Sequence, residues 1–183
     1  MTPTLGGPPP YMYARAPGWP ELVEAVGPDG SVAVGGDTER YRVRILDGSG
    51  STIRVVCRDV PGLPLAERET RGSEDVPADY EFEAAVADAP RPERPAPYGR
   101  LFFSADGRLW VQRDRPAVLQ FLEGYQGVAG ALYDVFDADG TYLGEVRAPE
   151  KARFQAALGD TVWAYEIGDL DETWVVAYQM RWD

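Results

Sequence analysis

Two groups of side chains in this chain have the types and spacings from which a site could be built. The first is the stretch "EIGDLDE", which places Glu166, Asp169, Asp171 and Glu172 within seven residues. Calcium takes oxygen ligands, so weak calcium binding is the chemistry on offer, although the twelve-residue EF-hand spacing is missing. The simpler reading of the same residues is a hairpin turn kept in solvent by its like charges. The second group is Trp110, Arg113 and Arg115, in "LWVQRDRP", with Tyr125 able to return over them. Binding residues collect where a strand feeds a long loop. An arginine beside an aromatic ring suits a carboxylate, a sugar-like ligand or a protein anchor. The simpler reading makes Trp110 core and pairs both arginines with surface acids.

The residue types that are missing narrow the chemistry further. The 183 residues include no His and no Asn, and Cys57 is the sole cysteine. Imidazole general-base catalysis and His metal ligands are therefore excluded. An internal disulfide and an intrachain cysteine zinc site are excluded too. Cys57 ends the apolar run "TIRVVC" and is expected to be a small buried hydrophobe. No GxSxG elbow, GxxxxGK[ST] loop or GxGxxG loop is present. Paired carboxylates could serve a glycosidase, but spacing along one chain establishes no such pair. Glu74, Asp75, Asp79, Glu81 and Glu83 read as a solvated acidic face. With 30 acids against 18 basic residues the net charge is −12, which disfavours nucleic acid as a partner. Only one of those basic residues, Lys151, is a lysine. No apolar run is long enough to span a membrane as a helix. "MTPTLGGPPPYMY" has neither the basic region nor the apolar core of an export signal.

The elements that must position these residues are strands. Residues 1–20 are rich in Pro and Gly and are expected to be irregular. In "RYRVRIL", Tyr41, Val43 and Ile45 face one way and Arg40, Arg42 and Arg44 the other, the period of a half-buried strand. "ELVEAV", "SVAV", "RYRVRIL" and "STIRVVCRD" make four strands in two hairpins over 21–59. "GRLFFS", "RLWVQR", "ALYDVFD" and "TYLGEVRA" make a second such unit over 99–147. "ARFQAAL", "TVWAYEI" and "TWVVAYQMRW" supply three strands of a third. Turns at "PDG", "DGSG" and two "ADG" triplets punctuate the units, and Gly107 and Gly140 should take positive φ. In the last strand Trp174, Val176, Tyr178, Met180 and Trp182 share a face, and with Trp163 and Tyr165 they predict one broad apolar stripe. Insertions at 60–97 and 113–130 interrupt the pattern. A short helix over about 77–87 and one or two helical turns after Pro116 are expected there.

The fold class is therefore all-β, a propeller-like stack of about three antiparallel four-stranded sheets filling 21–183, each burying the face of its neighbour. A small barrel or plain stacked sheets would also accommodate the pattern. The segments "YGRLFFSADGRLWVQR", "YDVFDADGTYLGEVRAPE" and "GDTVWAYEIGDLDETWVVAYQM" resemble the C-terminal half of bacterial six-bladed β-propellers related to the NHL-repeat class. The resemblance covers roughly residues 18–181 and implies about three blades, with export in bacteria as one location. Since three blades are half of a ring, it also implies a partner, either a second copy or a missing propeller half. The function it implies first is a non-enzymatic scaffold or binding module. The alternative is a calcium-dependent propeller hydrolase of lactones or phosphoesters, its site completed by a partner chain and built in such propellers from Glu, Asn, Asp and usually His. This chain departs from that donor set in having neither Asn nor His.

Overall fold

The computed structural model describes residues 22–36, 40–60, 98–113, 130–168, 170 and 172–181. These residues form eleven strands and no helix. The expected helices over 77–87 and after Pro116 lie outside the described residues, as does the N-terminal segment.

Strands β1 (Val23–Val26), β2 (Val32–Gly35), β3 (Tyr41–Leu46) and β4 (Thr52–Arg58) form the first sheet in chain order. Strands β5 (Arg100–Phe103), β6 (Leu109–Gln112), β7 (Leu132–Phe136) and β8 (Tyr142–Arg147) form the second in the same order. Strands β9 (Ala152–Leu158), β10 (Thr161–Ile167) and β11 (Thr173–Gln179) form a third sheet of three. All neighbours are antiparallel. The first strands of the sheets lie together, β1 against β5 and β5 against β9, so the stack opens outward as in part of a propeller.

One turn recurs four times. The residue before each turn donates its backbone N–H to the carbonyl of the residue four positions on, and a glycine three positions on donates back to its carbonyl. Gly30, Gly50, Gly107 and Gly140 fill that last position at φ 83–85°, the left-handed region that closes a type I turn with a G1 bulge. In "DGSG" the positive φ falls on Gly50, two residues after the Asp-Gly pair. The turn carboxylates serve the backbone: Asp47 Oδ1 accepts from the Ser49 and Ser51 amides at 2.8 and 3.0 Å. Asp137 Oδ1 accepts from those of Asp139 and Thr141 at 2.9 and 2.7 Å. Hydrogen bonds from serine side chains and amides hold the carboxyls of Asp29 and Asp47 below their ordinary value.

Two apolar cores fill the two gaps in the stack. Tyr41, Val43, Ile45 and Val56 of the first sheet meet Leu101, Leu109, Val111 and Phe136 of the second. Phe102, Trp110, Tyr133 and Val135 on the other side of the second sheet meet Phe154, Val162 and Ala164 of the third. The second sheet is thus covered on both faces, which is why all four residues of β6 are buried. Arg100 donates to the Phe154 carbonyl at 2.9 Å and Arg108 to the Gly159 carbonyl at 3.0 Å, both bridging to the third sheet. Such bridging suits the flat, multi-donor guanidinium.

Two sequence expectations are corrected. Cys57 is exposed. It pairs with Arg42, and both point away from the second sheet, whereas the buried residue of that run is its neighbour Val56. The single stripe near the chain end is two faces. Trp163 pairs with Ala177 and Tyr165 with Val175, while Trp174, Val176 and Tyr178 pair with Glu166, Ala164 and Val162. Cross-strand partners share a face, so Trp163 and Tyr165 look outward and Trp174, Val176 and Tyr178 look toward the second sheet.

Candidate functional site

Among the described residues the densest group of ionisable side chains centres on Asp134, in the middle of β7. The Asp134 side chain is 0% exposed. Its strand, "LYDVF", runs through the middle layer, so either phase of alternation would bury it. Arg58, at the end of β4, reaches across from the first sheet and donates from Nη1 to Asp134 Oδ1. Arg113, just past β6, places Nε 3.8 Å from Oδ2 and Nη1 3.3 Å from Glu145 Oε2. The Tyr142 hydroxyl stands 3.5 Å from Oδ1. The Arg58 guanidinium lies over the Tyr142 ring, 4.0 Å from its centroid.

Two buried oxygens complete the group. The Tyr41 hydroxyl and Asp134 Oδ2 have no hydrogen bond of good geometry among the described residues, yet the Tyr41 and Asp134 groups shift each other's ionisation. Burial pushes the Tyr41 phenol far up, and the Asp134 charge adds to this. Burial also pushes the Asp134 carboxyl above its ordinary value, against the opposing pull of Tyr41, Arg58 and Arg113. Burial, then Asp134, raises the Tyr142 phenol. A carboxylate so enclosed cannot be reached by a substrate. It ties the first sheet to the second, since Arg58 and Tyr41 come from one and Asp134, Arg113 and Tyr142 from the other.

Trp110 and Arg113 lie on opposite faces of the second sheet. Trp110 is fully buried, stacked on Phe102 at 5.3 Å between centroids and edge-on to Tyr133 and Phe154. Its indole N–H has no acceptor among the described residues. Arg113 faces the first sheet and is engaged by Asp134 and Glu145. The structure therefore does not bring these two residues together. Arg115 and Tyr125 lie outside the described residues, as do Asp169 and Asp171. Of the remaining acids in "EIGDLDE", Glu166 accepts from the Tyr178 hydroxyl at 2.5 Å and Glu172 accepts from the Leu170 amide at 2.9 Å. Among the described residues no three acid, Cys or His side chains gather as metal ligands.

Asp134 is the residue that sequence reading missed. A signal was there, an acid inside a strand apolar on both faces. Its partners were not legible, because Arg58 stands 76 positions away.

Among the described residues a groove and an apolar sheet face stand out. A groove of about 470 Å³ runs past the ends of β1, β5 and β9, lined by Val26, Pro28, Phe103, Ala105, Leu158 and Trp163. The outward face of the third sheet carries Tyr165, 49% exposed, beside Val175, 69% exposed. Leu158 extends that apolar patch. No known family model and no curated protein matches the chain.

Proposed function

We propose that this chain is a non-enzymatic, propeller-like β scaffold that acts as a binding module through the outward face of its third sheet. The observation that supports this reading is the character of that face. The equivalent face of the second sheet, with Phe102, Trp110 and Tyr133, is covered by the third sheet. The third sheet continues the aromatic character with Trp163 and Tyr165 and is the last of the stack among the described residues. Contiguous exposed apolar surface of this kind marks an interaction site. The fitting partner is a protein with an apolar surface of its own, including the missing half of a propeller ring.

A photo-activatable side chain at Tyr165, compared with one at Arg44 on the opposite end of the stack, tests this in the producing cell. One defined adduct from position 165 and none from 44 is the expected result. Equal labelling from both sites would refute the assignment of the face. Turnover of a lactone or a phosphoester that is abolished by chelation would overturn the non-enzymatic reading.

A further inference from the structure

The edge strands of this protein are not alike. An edge strand exposes unpaired N–H and C=O groups, and proteins blunt such edges with charges, bulges, prolines or short length. β1 and β5 are four residues long and carry Glu24 and Arg100. β4 carries Arg54 and Arg58, and its pairing with β3 is broken by a register shift at Ile45/Leu46. β8 carries Glu145 and Arg147, with a shift at Val135/Phe136 in its partner. β9 carries Arg153, and its pairing shifts at Trp163/Ala164. β11 has none of these devices. Its sequence, "TWVVAYQ", is seven residues without a charge or proline, and its register with β10 is unbroken. The first two sheets each place a fourth strand antiparallel to the third, whereas β11 has no further neighbour among the described residues.

The backbone phase of β11 follows from one bond. The Met180 amide donates to the Asp160 carbonyl at 2.7 Å. In an antiparallel ladder alternate residues point their N–H and C=O to the same side. Trp174, Val176 and Tyr178 therefore bond toward β10, and Thr173, Val175, Ala177 and Gln179 point their backbone groups outward.

We propose that β11 is a self-recognition edge that pairs antiparallel with β11 of a second copy of this chain. A two-fold axis through Val176 uses the whole strand and brings outward-pointing residues opposite one another. Thr173 then meets the second copy's Gln179, and Val175 meets its Ala177. On the other face Trp174 meets Tyr178 of the second copy, and Val176 meets itself. Polar residues fall opposite polar ones and apolar opposite apolar, with no charge repeated across the axis. Trp174, 59% exposed in one chain, gains an aromatic neighbour. Each β11 supplies a fourth strand that the other's third sheet does not have among the described residues, giving one continuous sheet of six strands. The interface is isologous, the commonest closed form of self-association. It depends on the edge of β11, and it stands whether or not the outward face of the sheet binds a partner.

Sedimentation from about 1 to about 500 μM, combined with amide exchange, tests the proposal; edge pairing alone buries little area, so association is expected in the micromolar range. The Thr173, Val175, Ala177 and Gln179 amides should gain protection as the dimer forms. Ala177→Pro removes an outward N–H and leaves the β10 ladder intact. It should raise the dissociation constant at least tenfold with unchanged circular dichroism. Val176→Lys and Val176→Glu should each weaken the homodimer, and mixing them should restore association. A monomer across the range, a dimer indifferent to Ala177→Pro, or full protection of the outward amides in the monomer would each overturn the proposal, the last by showing that a strand of the same chain covers the edge.

Discussion

Replacing Arg58 by Met tests whether the Asp134 group is what joins the first two sheets. Methionine keeps an apolar stem but removes the guanidinium from Asp134 Oδ1 and from above the Tyr142 ring. Breaking one partner of a fully buried ion pair costs about 3–5 kcal/mol. Two features reduce that figure here. The Arg58 side chain is 22% exposed, so part of its interaction is already screened. Arg113 also remains 3.8 Å from Oδ2. The lost cation–π contact adds about 0.5–1 kcal/mol. A net loss of about 2–4 kcal/mol at neutral pH follows. At about 2–4 °C per kcal/mol for a chain of this size, the melting temperature should fall by roughly 5–15 °C.

The pH dependence sharpens the test. The Asp134 carboxyl sits above its unfolded value in the folded protein, chiefly because it is buried. A raised carboxyl adds stability below its unfolded pKa, and that contribution is lost as pH rises through the folded pKa. Protonated Asp134 needs no cation, so the deficit of Arg58→Met should be largest at neutral pH and shrink as the carboxyl takes up its proton. Urea unfolding of the wild type and the variant in parallel from about pH 4 to pH 8 reads this directly. The same deficit at both ends, or none at neutral pH, would refute the view that Arg58 stabilises a buried charge.

Further outcomes follow from other sites. Gly140→Val should cost about 2–4 kcal/mol and Gly107→Val about 1–2 kcal/mol in urea unfolding, since both need positive φ. The difference arises because a Cβ at Gly140 would meet Arg54 Cδ at 2.6 Å, while one at Gly107 meets nothing nearer than Ala138 Cβ at 3.6 Å. Tyr98→Phe should cost about 1–3 kcal/mol, because the hydroxyl donates to the Arg42 carbonyl at 2.6 Å and accepts from the Gly36 amide at 3.1 Å. The Tyr178 phenol is pushed up to about 12 by burial and by Glu166. Ultraviolet difference titration should show a late tyrosine step near that pH that disappears in Tyr178→Phe. Any stability that Tyr178 adds is present below about pH 10 and is lost as pH rises through about 12.

Local rules determined the strands and the turns. Alternation in "RYRVRIL" predicts which side chains are buried, because successive residues of any strand point to opposite faces. The glycines at 107 and 140 are legible because a tight hairpin needs a positive φ that other residues resist. What the tertiary structure decided is everything that depends on which strand lies beside which. Alternation puts Trp174, Val176 and Tyr178 on one face of β11. Only the register with β10 shows that Trp163 and Tyr165 occupy the other. Cys57 ends an apolar run and still faces solvent, because its cross-strand partner is Arg42 on the uncovered side of the first sheet. Trp110 and Arg113 are three positions apart, and a period of two sends them into different gaps of the stack. Asp134 could be seen as an acid in an apolar strand, but its cations come from another sheet and from the far end of β6. Their convergence is a property of stacked layers, which no spacing along a single strand records.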